Sequence, residues 1–296
     1  MYQSTNLPVY QTMSVIAVLG IASEIRLLRQ RLDVPSVETT PAGTFWRGRW
    51  GQHEVILAQC AIGKVNATMA LQWLIDRHAP DVLLNFGSSG AIAPQLRVGD
   101  VVIADRVVPY DEGVFLERGF VTTGNELPNR GRVHWRVFPA DPRLVHLAQK
   151  ATGRAKLASS DGNRPGRAWV GTIASGDQVV FADDQKRWLH ETFGALAVEN
   201  EGAAVAQVAA AHGLPWLVLR GISDTADAHA AFDYTPLLRY ADEGTGWLAW
   251  LRYQAHRVIH LLRHPETRTN WHRFDAGVRL VNTNVAALLE HLLPLL

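Results

Sequence analysis

The chain has 296 residues, 47% hydrophobic and 19% charged, enough apolar material for a sizeable core and too much for a chain disordered by composition. A formal charge of +1 supplies no global attraction to nucleic acid or to an anionic membrane surface. The one cysteine, Cys60, excludes an internal disulfide and a cysteine-based metal cluster, so the expectation is a cytoplasmic protein acting on a small molecule.

In chain order, residues 1–12 are expected to form a loose arm, because MYQSTNLPVYQTM lacks a basic leader region. The apolar run after it, SVIAVLG (14–20), is too short to span a bilayer and reads as a first strand. Ser23 is a plausible cap for a helical stretch over 23–32. EVILAQC (54–60) reads as a strand, and residues 66–77 carry apolar positions at three- and four-residue spacing, a helical pattern. Two more strand-like runs follow, DVLLNFG (81–87) and DVVIADRVV (100–108). Residues 111–167 read as long loops around a helix near 141–154. WVGTIAS (169–175) is a strand, the Ala-rich 201–212 a helix, and LPWLVLRGIS (214–223) a strand. A helix from Gly246, a break at HPETRTN (264–270) and a second amphipathic piece over about 274–296 complete the chain.

The runs are continuously apolar rather than alternating, as in strands covered on both faces, and they alternate with helical patterns. Together these features predict an α/β architecture with a mostly parallel sheet. Ligands of such sheets sit beyond the carboxyl ends of the strands, which directs attention to GIASE (20–24), GSSG (87–90), SGD (175–177) and SDTAD (223–227).

The sharpest feature is the pair of acidic clusters VENEG (198–202) and RGISDTAD (220–227), each closing a segment where a substrate would bind. Taken alone, such carboxylates serve as caps or ion-pair partners as readily as they serve chemistry. The twelve histidines contain no HExxH pair, and neither GxxxxGK[ST] nor GxSxG occurs. No metal and no cofactor are therefore expected.

Six ordered segments resemble the nucleoside phosphorylase and nucleosidase superfamily, most closely its methylthioadenosine/S-adenosylhomocysteine nucleosidases. They are SVIAVLGIASEIRLL (14–28), AIGKVNA (61–67), PDVLLNFGSSGAIAPQLRVGDVVIAD (80–105), ASGDQVV (174–180), AVENEGAAVAQVA (197–209) and LPWLVLRGISDTAD (214–227). The resemblance implies a single α/β domain over 13–263, with a twisted mixed sheet curling toward a barrel and flanked by helices. Residues 264–296 then read as a helical extension. It also implies a homodimer and a purine nucleoside as the small-molecule partner, without nucleic acid or membrane.

Laid onto matching positions, the resemblance makes Asp224 the acid that protonates the N7 side of the departing purine, with Ser223 orienting it. Glu201 is placed on the ribose hydroxyls, where a carboxylate tightens its hold as an oxocarbenium-like transition state develops. Glu24 is placed behind the anomeric carbon to position and deprotonate water. Glu199 is either a ribose contact or a salt-bridge partner. Ser88 and Gly90 fall near the nucleophile and ribose, Ile62 and Phe232 are apolar walls for the base and the 5′ substituent, and Val179 and Val180 are further substrate-binding positions.

Two departures affect the substrate. The position after SGD that often carries a stacking ring reads Gln178, Val179, Val180, and Asn200 replaces a methionine between the two glutamates. Hydrolysis is the first reading, phosphorolysis the second because Arg26 and Arg29 lie near Glu24, and a nucleoside-binding regulatory module the third.

Overall fold

A computed structural model describes residues 14–117, 119–127, 134–160, 162, 164–225 and 265–296, with scattered residues between 247 and 263. Five strands close into a ring: β5 (Val82–Ala91), β14 (Trp216–Asp224), β6 (Val101–Pro109), β12 (Ala168–Ser175) and β13 (Ala195–Glu199). β14 lies parallel to β5 and antiparallel to β6, β12 runs parallel to both β6 and β13, and β13 returns antiparallel to β5. β5 also pairs with β1 (Val15–Ile21), and the sheet continues outward through β4 (His53–Cys60), β3 (Gly43–Trp50) and β2 (Asp33–Thr40). The mixed sheet curling toward a barrel is thus present.

The buried apolar runs became β1, β4, β5, β6, β12 and β14. The GSSG segment, expected beyond the end of the run over 81–87, lies within β5. Ser88 and Ser89 stand in β5, opposite Gly221 and Ile222 of β14, because backbone pairing outweighs the turn preference of small residues. Gly87 is required there: a Cβ would run into both the Arg220 guanidinium and the Glu24 carboxylate. The region after residue 111 is not all loop, since β7 (Gly113–Leu116) and β8 (Gly119–Thr122) form a hairpin.

Helices α1 (Ala22–Arg29), α2 (Lys64–His78), α3 (Pro142–Thr152), α4 (Asp183–Phe193) and α5 (Gly202–His212) flank the sheet. α3 starts where Asp141 accepts from the backbone N–H groups of Arg143 and Leu144, with Pro142 at a position that needs no donor. The last long helix, α6 (Pro265–Leu292), runs through the expected break at HPETRTN, where Pro265 opens the helix instead of ending one. α6 is built into the core: Val285, Leu288, Leu289 and Leu292 are buried in the same cluster as Ile16 and Leu57. Gly277 brings it so close to the end of β14 that a Cβ would collide with the Ser223 carbonyl. Asn282 of α6 donates from Nδ2 to the Ser23 carbonyl at 3.3 Å, tying the helix to the first turn of α1. Among the described residues, no helix is long and apolar enough to cross a membrane.

A buried polar knot anchors the start of β6. Asp100, with no exposed surface, accepts from the Arg164 guanidinium at 2.8 and 2.9 Å, the backbone of Arg97 and Arg167, and Trp169 Nε1. Burial pushes the Asp100 carboxyl up, but these donors outweigh it and hold the pKa below the usual aspartate value. The sign follows: the stabilisation is complete above the unfolded pKa and is lost as pH falls through the lower folded one. Asp100→Ala removes the buried carboxylate on which Arg164, Trp169 and two backbone N–H groups converge and is expected to cost about 3–5 kcal/mol, read as a lower midpoint in urea unfolding.

Candidate active site

The carboxyl ends of β1, β5, β13 and β14 converge on one cavity of about 380 Å³. That is the size range of a small-molecule pocket, at the place where α/β sheets bind ligands. β1 delivers Ile21 and, through the first turn of α1, Ser23 and Glu24. β5 delivers Ser88, Ser89 and Gly90, and the end of β13 delivers Glu199, Asn200 and Glu201. Ser223 and Asp224 close β14, Val179 and Val180 follow β12, and Ile62 precedes α2.

Glu24 is only 3% exposed, so it is not a solvent-facing helix residue. Its Oε2 accepts from the Ile21 N–H at 2.8 Å and its Oε1 from the Ser88 N–H at 2.9 Å, which fixes the carboxyl over β5. Burial raises its pKa to about 7; nearby Arg220 opposes the rise and Glu201 adds to it. Glu24 therefore holds its proton weakly at neutral pH, the condition a general base needs.

Arg220 organises the other acids. This fully buried arginine in mid-β14 donates from Nη2 to Glu199, to Glu201 Oε2 at 3.1 Å and to Asn85 Oδ1 at 2.7 Å. Burial lowers its pKa, yet Glu199, Glu201 and Glu24 together outweigh this and keep the guanidinium charged. Glu199 also accepts from the backbone N–H groups of Glu201 and Gly202, so its oxygens are occupied by protein donors. Glu201 differs: each oxygen has one protein donor, Gly63 N–H at 3.0 Å and Arg220, leaving a lone pair on each for a ligand. Burial raises the Glu201 pKa, Arg220 opposes this, and Glu199 reinforces it. Cys60 beside this cluster is no nucleophile, because burial and the charges of Glu201 and Glu24 push its thiol up to about 12.

The Ser223 hydroxyl lies 2.8 Å from Asp224 Oδ2 and 3.2 Å from the Ser89 carbonyl. With one proton to give, it donates to Asp224 when that group is ionised. When Asp224 is protonated, the same hydroxyl can turn to Ser89 and accept.

Eleven of the twelve residues singled out from the sequence line the cavity; the twelfth, Phe232, lies outside the described residues. Sequence reasoning missed Arg220, which reads as an ordinary charge until β14 is seen to be buried on both sides. It also missed Phe181, one position beyond the motif that ended at Val180, and with it the nearest ring after SGD. Phe274 and Val278 of α6 line the cavity too, and nothing in their spacing announced it.

The Phosphorylase superfamily profile matches residues 14–237. A 5′-methylthioadenosine/S-adenosylhomocysteine nucleosidase of Mycobacterium bovis is 33% identical over 227 residues, covering 75% of this chain and 89% of the relative. One from Geobacillus thermodenitrificans is 36% identical over 229 residues, covering 76% and 90%. Among solved structures, the S-adenosylhomocysteine nucleosidase of Streptococcus pyogenes in complex with 5-methylthiotubericidin superposes with a TM-score of 0.69 at 26% identity, over 97% of this chain and 99% of that one. The chain thus belongs to the phosphorylase superfamily and, within it, to the family of 5′-methylthioadenosine/S-adenosylhomocysteine nucleosidases.

Proposed function

We propose that this protein hydrolyses the N-glycosidic bond of a purine nucleoside of the methylthioadenosine/S-adenosylhomocysteine type, releasing free base and free pentose. The observation that carries the reading is the meeting of Glu24, Glu201 and Asp224 in one cavity, from three distant parts of the chain. Asp224 gives a proton to the N7 side of the purine, because an anionic purine is a poor leaving group. Ser223 supports the protonated acid by turning its own hydrogen to the Ser89 carbonyl. Glu201 uses its spare lone pairs on the ribose hydroxyls, and these bonds strengthen as positive charge grows on the sugar. Glu24 takes a proton from the water that attacks the anomeric carbon. Ile62, Val180 and Phe181 supply apolar walls, Phe181 offering the ring that the SGD motif lacks.

Hydrolysis is favoured over phosphorolysis by the charge of the lining. The described residues around the cavity include four carboxylates and no lysine or arginine, and Arg220 behind them is committed to Glu199, Glu201 and Asn85. A phosphate dianion would enter a field of its own sign. Turnover of methylthioadenosine is therefore expected to be the same with and without phosphate, and mass spectrometry should find free pentose. A phosphate requirement with pentose 1-phosphate as product would select the phosphorylase reading.

We further place the enzyme in the cytoplasm as a homodimer acting on small molecules rather than nucleic acid. Ile62, just before α2, and Val65 and Met69 at its start are exposed and apolar and support a covering subunit. The single buried cysteine and the near-neutral charge fit the other two assignments.

A further inference from the structure

Asn200 lies between Glu199 and Glu201 and lines the cavity. Its Nδ2 donates to the Gly176 carbonyl at 2.6 Å, which orients the amide and tells its nitrogen from its oxygen. Among the described residues, Oδ1 and the second Nδ2 hydrogen have no protein partner. Of the three consecutive side chains, Glu199 is consumed by Arg220 and two backbone donors, while Glu201 keeps acceptor capacity only. Asn200 alone offers an acceptor and a donor side by side. A hydroxyl is the group that matches both, since a thioether sulfur donates nothing and accepts weakly. A ligand without that hydroxyl leaves this acceptor and donor unpaired inside the filled cavity and forfeits the bonds.

From this geometry we propose that Asn200 is a specificity-determining residue that reads one sugar hydroxyl, separately from the contacts of Glu201, and selects against the nucleoside lacking it. The inference rests on the nucleoside reading of the cavity. It is tested by measuring kcat/KM of the wild type and of Asn200→Leu on adenosine and on its 2′-, 3′- and 5′-deoxy analogues. In the wild type, one analogue sensitive to Asn200 should be about 10- to 100-fold poorer than adenosine. In Asn200→Leu that penalty should shrink to within about threefold while the other two ratios stay at their wild-type values. Because each ratio is taken within one protein, a uniform loss from disturbing the Gly176 contact cancels. Unchanged ratios, or collapse of all three together, would overturn the proposal. If the wild type cleaves none of the four, turnover of methylthioadenosine decides whether the hydrolase reading has fallen as well, and the same ratios are taken from dissociation constants by calorimetry. Failure to bind any of them overturns the proposal, and failure to bind methylthioadenosine as well overturns both.

Discussion

Asp224→Asn is expected to lower kcat/KM for methylthioadenosine by about 100- to 10,000-fold, the usual worth of a positioned general acid. The amide has the shape of the carboxyl and still accepts from Ser223, so folding should change by less than about 1 kcal/mol. What it lacks is a proton to give at N7. A near-complete loss of turnover at unchanged stability therefore separates acid catalysis from a structural role, and steady-state kinetics beside a urea melt reads both. The result also discriminates between classes of function. A binding or regulatory module needs no proton transfer, and Asp224→Asn would leave its occupancy signal intact.

Glu24→Gln should show opposite effects on activity and stability. With a pKa of about 7, Glu24 gives the wild type an acidic limb near neutrality in the pH profile of kcat/KM. Glu24→Gln should lose that limb together with about 100-fold or more of the rate. The folded carboxyl titrates above its ordinary value of 4.5, so folding favours its protonated form. The contribution is full below about 4.5 and disappears as pH rises through about 7, leaving a buried charge that costs about 3 kcal/mol at pH 8. A glutamine is neutral throughout but replaces one acceptor by a donor, losing one backbone hydrogen bond worth about 1 kcal/mol. The variant should therefore be about 2 kcal/mol more stable than the wild type at pH 8 and show no gain near pH 4.5. Equal stability at pH 8 would mean that Glu24 is not strained by burial and would remove its claim to be a base poised at neutral pH.

Much of this was legible in the chain because burial writes itself into sequence. The six continuous apolar runs mark strands covered on both sides, and acids at the ends of such runs are out of place unless they serve the site. What escaped notice lacked that mark. β2 is almost wholly exposed, so DVPSVETT carries no apolar signal, and α4 (DDQKRWLHETF) is mostly polar. β13 is five residues long and runs straight into VENEG, so its strand character was absorbed into the motif. Arg220 was hidden for an energetic reason: an arginine survives in a buried strand only when carboxylates compensate it, and those partners come from the end of β13 and the start of α5. Phe274 and Val278 were hidden by topology, since only the packing of Gly277 against Ser223 brings α6 over the cavity.

Whether three carboxylates meet around one nucleoside is decided by a crystal structure with a non-cleavable purine nucleoside analogue. Asp224 should lie within about 3 Å of the N7 side of the base, Glu201 at the same range from the ribose hydroxyls, and Glu24 should hold a water on the far side of the anomeric carbon. An analogue bound outside this cavity, or bound within it with the base turned away from Asp224, would contradict the account.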